Sequence, residues 1–230
     1  MDPQRKDIFD GLYRTHGWGG ISCSGPGSDP EHTVGYIRFF NDWLRRHPAC
    51  HSIVELGCGD WATTRLLELS PQHCYVGYDI VTDIIDENCR RFQSDTVRFK
   101  CSDFLVQPPK DADLLVVKDV LQHLSNTAVH WFLEHILPRF RYAIITNDTR
   151  KYIEQKKLGI LITRRDLQEP NTDINDGSSR PLRLDAPPFS LPVIEKSSYP
   201  VVVRTSWPRL VYVKDILVWC RQPNSAERQP

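Results

Sequence analysis

A chain of 230 residues, 40% of them apolar, is long enough for one domain with its own core, or for one domain carrying a large decoration. No stretch approaches the ~18 unbroken apolar residues of a membrane span, and the charged start M-D-P-Q-R-K-D-I-F-D lacks the apolar run of a secretory signal. Lys plus Arg equals Asp plus Glu at 29 each, which argues against a protein built mainly to grip nucleic acid.

In chain order, residues 1–35 read as an irregular Gly-, Ser- and Pro-rich segment that covers a site formed by the rest. A helix is predicted from Pro30, with Asp29 as N-cap and Val34, Ile37, Phe40 and Leu44 on its apolar face, ending before Pro48. S-I-V-E-L is a short buried strand, followed by a glycine turn and a helix through Leu69. C-Y-V-G-Y-D-I, V-R-F-K-C-S-D, D-L-L-V-V-K-D and R-Y-A-I-I-T-N-D are further strands, with helices predicted in V-T-D-I-I-D-E-N-C-R-R-F and T-A-V-H-W-F-L-E-H-I-L. Apolar strands alternating with helices predict a doubly wound, mostly parallel sheet with helices on both faces.

Past Asp148 the pattern changes. Residues 150–170 are polar and predicted partly helical, and residues 171–200 are polar and proline-rich, read as a lid or substrate loop. V-V-V-R-T-S-W and Y-V-K-D-I-L-V-W-C then form an antiparallel pair, and residues 222–230 a flexible tail. The organisation is thus one domain over 36–221, preceded by the covering segment 1–35. Basic pairs such as Lys156-Lys157 and Arg164-Arg165 read as solvated helix surface.

Seven cysteines, an odd number with no C-x-x-C pair, suit neither a disulfide framework nor a zinc site. They read as buried reduced thiols of a cytoplasmic protein, and no metal is expected.

The turn V-E-L-G-C-G-D-W-A-T carries the question of ligand. Gly57-x-Gly59-x-x-Ala62 fits a dinucleotide fingerprint, and Asp79 lies where a ribose-binding acid belongs, so an NAD-dependent dehydrogenase is one reading. Three features point elsewhere. Glu55 beside the turn suits a cationic ligand better than a pyrophosphate. S-D-F, at the next strand end but one, offers a hydrogen-bond acceptor and an apolar ring face to an adenine. The chain finishes in antiparallel strands rather than a second dinucleotide half.

Residues 53 to about 148 resemble a class I S-adenosylmethionine-dependent methyltransferase. V-E-L-G-C-G resembles that family's first motif, Y-D-I its ribose-binding acid, C-S-D-F its adenine motif, and V-V-K-D-V-L-Q-H-L the motif at the active-site strand end. The two late strands resemble the antiparallel hairpin that closes the family's seven-stranded, Rossmann-like sheet. The sequence departs from the pattern at Trp61, where a third glycine is usual.

The resemblance implies S-adenosylmethionine as cofactor. Gly57 and Gly59 would let the backbone approach it, Glu55 would lie near its amino group, and Trp61 beside its tail. Asp79 would hold the ribose hydroxyls, Ile80 and Phe104 would sandwich the adenine, and Asp103 would fix its amino edge. Ser102 and Lys118 complete the cofactor set. Methyl transfer needs an aligned acceptor and a base. His123 is preferred because imidazole titrates near neutrality, with Asp119 the alternative. A helix-capping role for His123 is equally open.

Trp18, Ser28, Asn147, Asp148, Asn175 and Arg180 are the candidate substrate contacts. Neutral charge and modest size favour a small polar molecule as methyl acceptor, through oxygen or nitrogen alike. Nucleic acid and membrane are not expected partners. A non-catalytic S-adenosylmethionine-binding partner subunit is the alternative from another class.

Overall fold

Strands β1 (Ser52–Leu56), β2 (Cys74–Asp79), β3 (Val97–Cys101), β4 (Leu114–Lys118) and the first half of β5 (Tyr142–Lys157) lie parallel, in the order β3-β2-β1-β4-β5. They are seen in a computed structural model that describes residues 2–165, 168–204 and 207–222. β7 (Glu195–Arg204) and β8 (Arg209–Cys220) complete the sheet, β8 pairing antiparallel with both β5 and β7. The mostly parallel sheet closed by an antiparallel hairpin is therefore as the sequence predicts. Thr205 and Ser206 of that hairpin, and residues 223–230 of the predicted tail, lie outside the described residues.

Helices cover both faces, because the central strands are apolar on both. On one face α2 (Pro30–Arg46) buries Tyr36, Phe40 and Trp43 against Ile53, Leu114, Val116 and Ile144, with α3 (Thr82–Phe92) beside it. On the other, α4 (Asn126–His135) buries Val129 and Phe132 against Leu115, Val117, Ala143 and Ile145. No helix among the described residues is long and apolar enough to cross a membrane.

Several expectations are corrected. Residues 1–35 are not irregular throughout: α1 (Pro3–Arg14) opens them, its first turn capped by the Asp2 carboxylate, which accepts from Gln4 N at 3.0 Å. The Asp-Pro start carried that signal. The helix predicted after the glycine turn is only a 3₁₀ turn, Thr64–Leu66. Thr64 sends its hydroxyl to Glu55 at 2.9 Å, and two β-branched threonines open the segment. In α2 Val34 is 64% exposed, and Thr33, Tyr36 and Trp43 take the inner stripe with Phe40 and Leu44. Asp29 precedes α2 as predicted, yet its carboxylate accepts from Ile21 N and Ser22 N and so holds the preceding loop.

Within the predicted partly helical 150–170, residues 150–157 and 160–165 are instead strand, and 166–167 lie outside the described residues. β5 runs on to Lys157 and turns at Leu158-Gly159 into β6 (Ile160–Arg165), which pairs antiparallel with it and makes an eighth strand. Polar residues hid the alternation; the β-branched Ile160 and Ile162 fit the pleat. In the predicted lid or substrate loop 171–200, residues 195–200 belong to β7 and the remainder is anchored. Leu182, Leu184 and Leu191 enter the core beside α4, and Asn171 braces the chain through Arg183 N, Arg183 O and Pro187 O. All seven cysteines are free, but only Cys50 and Cys58 are buried; Cys23, Cys89, Cys101 and Cys220 are half-buried and Cys74 is exposed.

Candidate active site

The carboxyl ends of β1, β2, β3 and β4 open into one cavity of about 280 Å³, roofed by α1 and residues 24–28. The β1 turn sets its floor. Gly57 has φ +69° and a Cβ there would lie 2.3 Å from Val120 Cγ2; Gly59 has φ +53° and a Cβ would lie 2.2 Å from Ser24 Oγ. Both backbone conformation and space demand glycine. Glu55, buried at the end of β1, accepts from Thr64 Oγ1 and the Tyr75 hydroxyl. Burial pushes its carboxyl up to about 7, despite those donors.

Asp79, at the end of β2, accepts from Gly59 N at 3.0 Å and Val81 N at 3.1 Å. Burial without a cation holds its carboxyl above the ordinary value, and the backbone donors only partly offset this. Ile80, Ser102 and Phe104 line the cavity beside it. Asp103 also lines it, with Oδ1 accepting from Leu105 N and Oδ2 from the Arg5 guanidinium at 2.7 Å.

The end of β4 holds the charges. Asp119 adopts φ +59°, a conformation uncommon outside glycine, and this sets its carboxylate between two lysines. Lys118 Nζ lies 2.7 Å from Oδ2 and Lys214 Nζ 2.6 Å from Oδ1. Although burial alone would raise it, the two ammonium groups hold the Asp119 carboxyl down to about 2. Lys214 also reaches Asp148 at 2.8 Å, and Lys118 donates to Gly27 O at 3.0 Å. Gln122 closes the group, accepting from Asp148 N and donating to Asp148 Oδ2.

His123 follows on the 3₁₀ turn Leu121–His123. Its Nδ1 lies 2.9 Å from Ser178 O, so the N–H is placed there and Nε2 is left as the acceptor. Its setting among protein atoms lowers the imidazole pKa from the ordinary value. Trp18 packs on it with centroids 5.7 Å apart, and Tyr13 meets Trp18 edge-on at 5.0 Å.

Of the residues predicted from sequence, Glu55, Gly57, Asp79, Ile80, Ser102, Asp103, Phe104, Lys118, Asp119, His123, Trp18, Ser28 and Asp148 line the cavity, and Gly59 lies against Ser24 and Tyr13, which also line it. The others do not. Trp61 turns into the core against Tyr75, Phe92 and Phe99, its φ of +56° carrying the side chain away from the cavity. Arg180 is buried and donates to Leu121 O, Gln122 O and Asn126 Oδ1, bracing the 121–126 turn. Asn147 is buried within strand β5, paired with Asp215 of β8, and Asn175 sits exposed in its loop. From 171–200 only Ser179 reaches the cavity wall.

Sequence reasoning passed over Arg5, Ser24, Asp60, Thr64 and Lys214. A lysine inside the apolar strand Y-V-K-D-I-L-V-W was the legible signal for the last. Ser24 exchanges hydrogen bonds with Asp60, at 2.9 and 3.1 Å, and so ties the covering loop to the glycine turn. Nothing in the spacing announces that pairing. No cluster of metal-ligating side chains occurs among the described residues.

No family model and no curated protein sequence matches the chain. Solved structures match it in fold. Magnesium protoporphyrin IX methyltransferase from Synechocystis PCC 6803, solved with bound SAH, gives a TM-score of 0.53 at 14% identity, covering 93% of this chain and 99% of that one. The PH0226 protein from Pyrococcus horikoshii OT3 gives 0.52 at 12% identity, over 92% and 99% of the two chains. TehB from Haemophilus influenzae gives 0.54 at 11%, over 86% and 66%. The chain has the fold of the class I S-adenosylmethionine-dependent methyltransferases. Identities this low carry the fold and not the reaction.

Proposed function

We propose that the protein is an S-adenosylmethionine-dependent methyltransferase acting on an oxygen or nitrogen of a small polar molecule, with His123 as base. The observation that carries this reading is the convergence of Glu55, Asp79 and Asp103, from three neighbouring strands, on one cavity floored by Gly57. The residues present fit the cofactor. Glu55 is a buried carboxyl facing the cavity, held by Thr64 and Tyr75, and Asp79 is a buried acceptor held by the Gly59 and Val81 amides. Gly57 leaves backbone where any side chain would clash.

When bound, S-adenosylmethionine supplies a methyl group on a sulfonium, open to in-line displacement. Glu55 would face its ammonium, Asp79 its ribose hydroxyls, and Ile80 and Phe104 its adenine. The acceptor would lie among His123, Asp148, Lys214 and Ser28. His123 takes the proton that the acceptor's O–H or N–H loses as its bond to carbon forms. The tautomer fixed by Ser178 O leaves Nε2 for this task. Asp119 is a poor base, since two lysines hold it ionised; it anchors Lys214 instead. The charge group can then orient a polar acceptor, which is worth several kcal/mol of barrier.

Calorimetry with S-adenosylmethionine, S-adenosylhomocysteine, NAD and NADP tests the reading. Binding of the first two, lost in Asp79→Ala, is the expected result. Binding of a nicotinamide nucleotide alone would replace it with a dehydrogenase. Cofactor binding with no turnover across a broad acceptor screen would favour a non-catalytic binding subunit.

A further inference from the structure

Residues 150–165 contain six Lys or Arg and one Glu, in a chain whose charges balance only as a whole. The fold gathers them into the β5–β6 hairpin. β8 begins at Arg209, opposite Glu154, so from Gln155 to Ile162 the hairpin runs past it as two strands alone. Among the described strands β6 pairs only with β5.

The hairpin's end is apolar. Leu158 is 94% exposed, Ile160 66% and Leu161 54%. Ile160 pairs with Lys157 and Leu161 with Lys156, so successive residues put an aliphatic side chain and a lysine on each face. Leu158 and Gly159 form the two-residue turn with φ of +53° and +80°. Positive φ at both positions is the turn that Asn-Gly suits best, so a solvated leucine there serves neither the turn nor the core. Behind the tip, Lys156 and Arg209 flank the Trp207 ring at 5.1 and 4.7 Å.

A protein partner would be met by one apolar face, and a single-stranded nucleic acid by a row of aromatic platforms, whereas here one indole lies behind a tip whose exposed side chains are aliphatic. A tip apolar on both faces, collared by lysines and arginines and backed by an indole, has the make-up of an interfacial element. The geometry points to the β5–β6 hairpin as a docking wedge for an anionic lipid bilayer. Leu158, Ile160 and Leu161 enter the acyl boundary, while Lys157 and Arg164 face the headgroup phosphates. The wedge also continues the site: Tyr212, which walls the cavity with Val201, shares a sheet face with Leu210, Ile153 and Ile162. Docking would therefore turn the β7–β8 wall of the cavity toward the bilayer. The inference stands whether or not the chain transfers methyl groups.

The test is sedimentation of the full chain with vesicles of phosphatidylcholine alone, or mixed with phosphatidylglycerol. Binding is expected to the mixed vesicles only, and to weaken with added salt. Leu158→Asn is expected to lower the partition about tenfold. Its unfolding midpoint should stay level or rise, because asparagine suits the turn. Lys157→Gln and Arg164→Gln should each lower the partition about fivefold. Three results would overturn the proposal: no preference for anionic vesicles, unaltered binding by Leu158→Asn, or binding of an RNA homopolymer in place of vesicles. A concentration-dependent dimer that Leu158→Asn abolishes, without vesicle binding, would assign the tip to a second copy of the chain instead.

Discussion

Lys214 and Asp119 meet from β8 and the end of β4, with Nζ 2.6 Å from Oδ1. The same ammonium holds Asp148, and Lys118 holds the other Asp119 oxygen, so two cations and two anions close a neutral group against the cavity. Removing one member leaves its partners buried and uncompensated, at a cost of about 3–5 kcal/mol. Lys214→Met should lose that much unfolding free energy in a urea titration. Paired replacement of Lys214 and Asp119 by apolar residues should recover part of it. A loss within experimental error for Lys214→Met would mean that water already screens the pair.

Glu55 makes the stability of the fold depend on pH. Its folded carboxyl is raised, from 4.5 to about 7, so the folded chain binds the proton more tightly than the unfolded one. The contribution is therefore fully present below about pH 4.5, and is lost as pH rises through about 7. Between pH 5 and pH 8 the loss amounts to about 2–3 kcal/mol. Glu55→Gln does not titrate, so its stability relative to the wild type should rise by that amount between the two pH values. Parallel urea titrations of the two proteins check it. Equal pH dependence would show that Glu55 stays ionised throughout.

How far the sequence reached follows from what each element depends on. The central strands β1 and β4 were legible because each is a short apolar run leading to Glu55 or Asp119, and burial on both faces permits little else, while β2 and β3 were marked by the acids Asp79 and Asp103 at their ends. Asp79 and His123 could be placed because motif and strand end coincide. Trp61 was misjudged because its direction hangs on one positive φ, which composition does not encode. Arg180 and Arg5 depend on partners more than 50 residues away, Asn126 for one and Asp103 for the other. The β5–β6 hairpin was hidden because its pattern is cationic rather than apolar.

His123 sets the acid limb of any activity. A base must be neutral, and this imidazole titrates below its ordinary 6.5 because burial disfavours the cation. Activity should therefore persist as pH falls through 6.5 and decline only below it. His123→Gln should lower kcat by about 10²–10⁴-fold while leaving cofactor affinity unchanged, as titration calorimetry would read. An acid limb above 6.5, or a variant of full activity, would leave His123 as a turn residue held by Ser178.

Arg5 fastens α1 over the cavity. Its guanidinium joins Asp103 at 2.7 Å and Asp176 at 2.8 Å, while no residue of α1 is fully buried and Phe9 packs only partly buried against the core. Arg5→Ala should speed amide exchange throughout Pro3–Arg14 with little change in the core strands. Bound S-adenosylhomocysteine should then leave faster in stopped-flow displacement. Unaltered exchange would place the docking of α1 in Phe9 and Tyr13, which also line the cavity.

Gly27 and Gly11 make the last comparison, since the same substitution should act oppositely at the two. A Cβ on Gly27 would lie 3.0 Å from both Asp119 Oδ2 and Lys214 Nζ, so Gly27→Ala makes these groups give by a few tenths of an ångström. Crowding of this kind costs about 1–3 kcal/mol, and here it falls on groups that face the acceptor. The variant should lose both stability and kcat/KM. On Gly11, inside α1, a Cβ meets nothing within 4 Å, and alanine there favours the helix by up to about 1 kcal/mol. Gly11→Ala should slow amide exchange in α1 and leave the unfolding of the sheet alone. If Gly27→Ala proved as harmless as Gly11→Ala, the Asp119–Lys214 pair would have slack to move, and its rigid placement could not be what orients the acceptor.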